Sequence, residues 1–190
     1  MYVQQFVMAY GVEQDRLRAL LPEGLTSLRP VLRLNAELRD GRSAYLEFNT
    51  AVERQGFRGW RNIAHWEGVP FTAEGENVLF HPPFLRLRFT GVGIQGGCPA
   101  EQDNGGCLFP GGTPELRLPE PVTARKEFCD CAFAWNFGIP GAHGQSLGKT
   151  LPAIPTEPRG RYPRQALTAE NAAAIPCDQV LGAYRVTFRR

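Results

Sequence analysis

Arg33 and Glu47 are the two side chains of this sequence whose types and spacing fit them for chemistry together. A guanidinium holds a carboxylate or a polarised carbonyl, and a carboxylate moves a proton, so one of each on a shared surface suits a small acid or carbonyl compound. Residues 31–38 and 44–52 alternate polar with apolar, and in a strand successive side chains point to opposite faces. Leu32, Leu34, Ala36 and Leu38 therefore line one face, and Arg33, Asn35 and Glu37 the other. In the second segment Leu46, Phe48 and Val52 oppose Tyr45, Glu47 and Asn49. Keeping even positions against even positions demands an odd-length connection, so a three-residue hairpin loop at Asp40, Gly41 and Arg42 is expected. The charged face then either lines a ligand cavity or faces water, where cross-strand polar pairs are worth about 0.2–1 kcal/mol each. Desolvation would raise the pKa of Glu47 towards acid–base duty, and an ion pair with Arg33 would lower it.

Other reactive side chains are few. The two lysines are Lys126 and Lys149. Lys126, in the extended run Arg125-Lys126-Glu127-Phe128, is either a snorkelling surface amine or a nucleophile able to form an imine, and Lys149 lies in a loop. His65, His81 and His143 are far apart in sequence and lack the paired helical spacing of a zinc hydrolase. His81 ends a strand beside Pro82-Pro83, either as a structural histidine or as a group that touches a ligand. Cys129 and Cys131 share a strand face, and Cys98 with Cys107 would complete a four-thiolate set. The Cys-x-x-Cys knuckle of such sites is missing, so packed thiols without a metal are expected. Gly91-Val92-Gly93 and Gly96-Gly97 match neither a Walker lysine motif nor a dinucleotide fingerprint, so no cofactor is expected.

The elements that must position these groups are mostly strands. Residues 2–10 read as a strand with Phe6, Met8 and Tyr10 on one face and Val3, Val7 and Ala9 on the other, both largely buried. Residues 13–21 follow as a short helix, with Leu17, Leu20 and Leu21 at helical spacing, Glu13 and Asp15 in the first turn, and a stop at Pro22 and Gly24. Further strands are expected at 60–66, 77–80, 85–92, 115–118, 123–137 and 182–189, and a second short helix at 169–174 capped by Thr168. Residues 91–114 and 138–163, rich in Gly and Pro, are expected to be long loops that cover a cavity mouth. With 190 residues and 43% hydrophobic content, one domain spanning 1–190 can bury one sizeable core. A net charge of +2 with dispersed arginines excludes the concentrated basic footprint of a nucleic-acid binder. Arg159, Arg161 and Arg164 around Tyr162 read as a solvated loop. Neither a basic leader nor a long apolar run is visible, so no membrane partner and a cytoplasmic location are expected, which also fits five reduced cysteines.

The order of these features carries a resemblance. A strand ending in Tyr10, the helix Gln14-Asp15-Arg16-Leu17-Arg18-Ala19-Leu20-Leu21-Pro22-Glu23-Gly24-Leu25, then Pro30-Val31-Leu32-Arg33, Tyr45-Leu46-Glu47 and Gly56-Phe57-Arg58-Gly59 resembles the acetoacetate decarboxylase-like superfamily over roughly the first half of the chain. The resemblance implies a mainly β, α+β fold with short helices: an antiparallel curled sheet or closed barrel or cone around a central cavity. It also implies that the charged face points inward, and that the chain forms a homo-oligomer. In decarboxylases of that family a lysine forms an imine with a β-keto acid beside a second lysine that depresses its pKa, and this enzyme is the standard example of that activation. The stretch that corresponds here, Leu79-Phe80-His81-Pro82-Pro83-Phe84-Leu85, contains no lysine, and Arg86 and Arg88 stay protonated and cannot replace it. The family's carboxylate-binding arginine, ahead of the first strand, is also missing beside Met1 and Tyr2.

What carries over is Glu47, matched to the family's active-site glutamate, with Arg33 on the preceding strand. The sequence thus points to a protein that binds a small organic acid or carbonyl compound through Arg33, Asn35, Glu37, Tyr45, Asn49 and His81, without imine decarboxylase chemistry at the usual position. The alternatives are a divergent carbon–carbon lyase, aldolase or dehydratase that uses Lys126 or Glu47, and an interaction module whose barrel is filled by its own side chains.

Overall fold

The computed structural model describes residues 1–99, 107–108, 116–117, 125–138 and 161–190. In chain order the elements are β1 (Tyr2–Gly11), α1 (Gln14–Leu20), β2 (Thr26–Arg39), β3 (Ser43–Arg54), β4 (Phe57–Glu67), β5 (Phe71–Glu74) and β6 (Asn77–Phe80). They continue with β7 (Leu85–Pro99), β8 (Cys107–Leu108), β9 (Leu116–Arg117), β10 (Arg125–Trp135), α2 (Ala169–Ala173) and β11 (Gln179–Arg189). The strands form one sheet in the order β5-β6-β7-β10-β11-β1-β2-β3-β4-β8-β9. Nine of them make an antiparallel sheet curled into a half-barrel, and β8 joins β4 in parallel.

The first hairpin is set by parity. Arg39 pairs with Ser43, leaving Asp40, Gly41 and Arg42 as a three-residue loop, and Leu34 faces Phe48 as Ala36 faces Leu46. Asp40 and Gly41 both have positive φ, at 51° and 65°, and the Arg42 amide donates to the Arg39 carbonyl. This is the twist that suits a right-twisted strand pair. The second hairpin pairs Arg54 with Phe57 across Gln55 and Gly56, whose φ values are 49° and 82°. That two-residue turn sets odd positions of β3 against even positions of β4 until a bulge opposite Phe48 and Asn49 admits Ile63 as an extra residue.

The apolar face closes on itself. Phe48 on β3 and Trp135 on β10 have ring centroids 4.7 Å apart although β2, β1 and β11 lie between their strands. Phe6 and Phe80 meet at 5.7 Å and Trp66 and Phe84 at 4.6 Å, so the sheet must be concave on this side. Helix α1 adds Leu17 and Leu20 to the same core, and α2 adds Ala169 and Ala172. Thr168 caps α2 as expected, its hydroxyl oxygen accepting from the Asn171 amide at 3.1 Å. Fully burying an aromatic or Leu side chain contributes about 1.5–3 kcal/mol, so this shared core is the main stabiliser of the curl.

Three expectations change. Residues 91–99 are not loop, because β7 runs on through its glycines to Pro99 and pairs with β10 across two register shifts. Strand β5 was not anticipated; Phe71–Glu74 is too short to show a period and is recruited by pairing with β6. The charged row does not fill the middle of the barrel, since the side chains that meet across the middle are those of the apolar set. Of the expected loop 138–163, residues 139–160 lie outside the described residues.

Candidate functional site

Strands β1 to β4 carry the charged face as three rows read from their register. One row is Ala9, Arg33, Asn49 and Asn62, the next is Val7, Asn35, Glu47 and His65, and the third is Gln5, Glu37, Tyr45 and Glu67. Side chains in neighbouring columns of a row are about 4.5–5.5 Å apart at Cβ, so Glu47 stands between Asn35 and His65. The face is not an ordinary wet surface: Asn49 is 0% exposed, Asn62 1%, Glu37 2% and Asn35 6%. Buried polar groups must be hydrogen-bonded or they cost free energy, and here Asn62 and Asn49 join Glu47 in one chain.

That chain has a direction. The Asn62 amide nitrogen donates to the Ala64 carbonyl at 3.2 Å and to Asn49 Oδ1 at 3.1 Å. Asn49 Nδ2 donates in turn to Glu47 Oε2 at 3.0 Å. Asn62 Oδ1 is thereby left as an acceptor, 3.3 Å from His65 Nδ1, so that ring nitrogen carries the hydrogen and the lone pair of the neutral ring sits on Nε2. Tyr45 also hydrogen-bonds Glu47, and burial together with that carboxylate pushes its hydroxyl pKa well above the ordinary value. Tyr45 therefore stays a neutral donor to Glu47. Asn49 and Tyr45 thus both donate to the Glu47 carboxylate, and Asn62 holds Asn49 in place behind it.

One acceptor has been left out. Asn35 Oδ1 is buried without a hydrogen-bond partner, beside the carboxylate that faces it across the β2–β3 pair. Arg33, paired with Asn49, lays its guanidinium 3.7 Å from the centroid of the Trp60 ring. At the far edge Glu37 is already engaged: Arg39 Nε donates to its Oε2 at 2.9 Å, and Arg190 donates to both oxygens at 3.0 and 3.1 Å. Arg39 also reaches Glu67 at 3.1 Å and lies over Tyr45, closing that end of the face.

The structure gathers Arg33, Asn35, Glu37, Tyr45, Glu47 and Asn49 on one face, as the alternation required. Lys126 is not brought to them. Its amine lies 4.7 Å from the centroid of Tyr184 on β11, and β10 is four strands from β3, about 19 Å along the sheet at about 4.8 Å per strand. His81 stands at the seam where the ends of the sheet approach each other. Its amide donates to the Pro70 carbonyl at 2.9 Å, just beyond β4, and its Nε2 is buried without a partner. Sequence reasoning missed Asn62 and His65, which are three apart and would face opposite sides of a regular strand. The bulge at Ile63 turns both to the same face. The one legible signal was the Gln55-Gly56 turn, whose two-residue length sets Asn62 against Asn49.

Cys129 and Cys131 pack against the apolar core, and burial first, then the neighbouring Cys131 and Asp130, pushes the Cys129 thiol up to about 12. Among the described residues no group of three or more His, Cys, Asp or Glu side chains is arranged to hold a metal, and no helix is long and apolar enough to cross a membrane. Cys98 and Cys107 have no described side chains.

No family model and no curated protein sequence matches the chain. Its architecture does match solved structures. An acetoacetate decarboxylase from Legionella pneumophila subsp. pneumophila str. Philadelphia 1 superposes with a TM-score of 0.58 at 10% identity, over 98% of this chain and 81% of the other. The chain has the acetoacetate decarboxylase-like fold. Two further structures with this fold are an acetoacetate decarboxylase-like enzyme from Sphingomonas wittichii RW1 and the enduracididine biosynthesis enzyme MppR complexed with pyruvate. The first gives a TM-score of 0.52 at 12% identity, covering 98% of this chain and 87% of that one. The second gives 0.51 at 12% identity, with 98% and 84% covered. In this chain the stretch 79–85 lies at the seam, where Phe84 packs on Trp66, and it holds no lysine.

Proposed function

We propose that this protein binds a small organic acid or carbonyl compound at the charged face of β1 to β4, with Arg33 as the anion partner and Glu47 as the proton-handling group. The observation that carries the reading is the buried donor chain converging on Glu47 beside the unpartnered Asn35 Oδ1. Burying the unpartnered Asn35 Oδ1 without use costs stability, whereas a site must hold its groups in fixed positions. The pyruvate in the MppR structure is a ligand of the same chemical class, bound to a protein of the same fold. Chemistry through an imine at residues 79–85 is not part of the proposal, because that stretch offers no amine.

A second reading is supported by His65 opposite Glu47: an enzyme that moves protons on its ligand without a covalent intermediate, through a carboxylate and an imidazole whose tautomer is set by Asn62. Lys126 is the less favoured nucleophile, given its seat on Tyr184. A homo-oligomer in the cytoplasm is the proposed setting.

Isothermal titration with pyruvate, acetoacetate, lactate and alanine tests the binding. At least one should bind, and Glu47→Gln should weaken it about tenfold or more, by the loss of a charge-assisted contact. Silence from the whole set, or unchanged binding in the variant, would remove the proposal. Borohydride reduction in the presence of pyruvate or acetoacetate should leave Lys126 and Lys149 without a mass adduct.

A further inference from the structure

Tyr45 stands between two carboxylates. On its row of the charged face Glu37 is the neighbour on β2 and Glu67 the neighbour on β4. Arg39 crosses above the phenol ring, its guanidinium carbon 4.5 Å from the ring centroid. Its Nε donates to Glu37 Oε2 at 2.9 Å, and its Nη1 donates to both Glu67 oxygens at 3.1 and 3.2 Å. A guanidinium suits this task, because its rigid fork serves two acceptors while its charge sits over an aromatic ring. The inner anchor is fixed, since buried Glu37 takes two further bonds from Arg190 at 3.0 and 3.1 Å. The outer anchor is wet, the Glu67 side chain being 61% exposed. Tyr45 is thereby strapped down, and its hydroxyl donates to Glu47, two residues along the same face.

We propose that Arg39 is a positioning residue of the ligand site: by bridging Glu37 and Glu67 across Tyr45, it holds the Tyr45 hydroxyl on Glu47 and so fixes the carboxylate that handles the ligand. The inference rests on the charged face being the ligand site. Glu47 has two donors, Asn49 and Tyr45, and each has its own support. Asn62 bonds the first at 3.1 Å, and Arg39 covers the second. A site is accurate only when the groups behind it are locked as well. Arg39 acts through Tyr45 and needs no contact with the ligand.

The hydroxyl proton of Tyr45 reports the strap directly, read by NMR as its rate of exchange with water. It should be visible in the wild type, exchange about tenfold faster or more in Arg39→Met, and about threefold faster in Glu67→Ala, which loses only an exposed ion pair. The indole signal of Trp135 should stay in place in both, showing that the fold is kept. Glu67→Ala touches only the exposed anchor, so it decides the matter should Arg39→Met fail to fold. In titration calorimetry with pyruvate, acetoacetate, lactate and alanine, Arg39→Met and Tyr45→Phe should each weaken whichever acid binds by about fivefold, and the double variant should be no weaker than Tyr45→Phe alone. A hydroxyl signal missing from the wild type, or unchanged in the variants, overturns the inference. So does full affinity in Arg39→Met where Glu47→Gln binds weakly, an outcome that leaves the site standing. If none of the four acids binds the wild type, the site and the inference fall together.

Discussion

At the scale of single residues, the charged face divides into groups that hold the structure and groups left for a ligand. Asn62 belongs to the first kind. Replacing it with Ala strands Asn49 Oδ1, the Ala64 carbonyl and the His65 ring nitrogen, all of which it now satisfies. Leaving a buried polar group unpaired costs about 1–3 kcal/mol, so urea unfolding of Asn62→Ala should give a loss of about 2 kcal/mol or more. Arg58→Ala makes the contrast, because its 3.1 Å ion pair with Glu53 is exposed, and such pairs contribute under about 1 kcal/mol. Equal losses in the two variants would mean that the amide chain is not under strain-free burial. Alternation alone made Asn35, Glu47 and Asn49 legible as one set, because a strand's period is fixed by its backbone. Asn62 and His65 could not be read that way, since a bulge has no residue signature in this sequence.

At the scale of elements, turn length did most to fix register. The 40–42 loop followed from matching even to even positions, and the structure has it. Gly56, at φ 82° in the second hairpin, has open space where a side chain would go. Gly56→Ala should therefore cost only its backbone term, about 1–2 kcal/mol for a left-handed residue, read as a lowered melting temperature with β content unchanged. A loss of sheet signal instead would mean that the turn dictates pairing along the whole of β3 and β4. Strand β7 defeats periodicity for a physical reason: glycines at 91, 93, 96 and 97 carry no side chains to show a period, and they fall in the two register shifts, while Thr90, Ile94, Gln95 and Pro99 pair with β10. The helices were easier, since acidic first turns, leucines three and four apart and a Thr cap are local signals.

At the scale of the whole molecule, periodicity assigned residues to two faces but could not say which face would curl inward. Packing decides that, and Phe6, Phe48, Phe80, Phe84, Trp66 and Trp135 meet across the sheet on the inward side. The same burial makes stability depend on alkaline pH. Tyr10, Tyr45, Cys129 and Cys131 all have pKa values raised by burial above those of the unfolded chain, near 9 for the thiols and 10 for the phenols. Acids whose folded pKa is raised stabilise fully below the unfolded value and lose that contribution as pH climbs past it. Unfolding free energy should thus fall steadily above about pH 9, by up to about 1.4 kcal/mol per pH unit for each group ionised only in the unfolded chain. A flat profile from pH 8 to pH 11 would contradict this burial. The most direct test of the ligand site is a two-dimensional proton–nitrogen spectrum followed through titration with lactate, alanine and pyruvate. If the charged face is the site, the side-chain amide signals of Asn35, Asn49 and Asn62 shift together at one saturable concentration, while the indole signal of Trp135 in the aromatic interior stays in place. Amide signals that remain fixed while Trp135 moves, or no saturable shift at all, would contradict it.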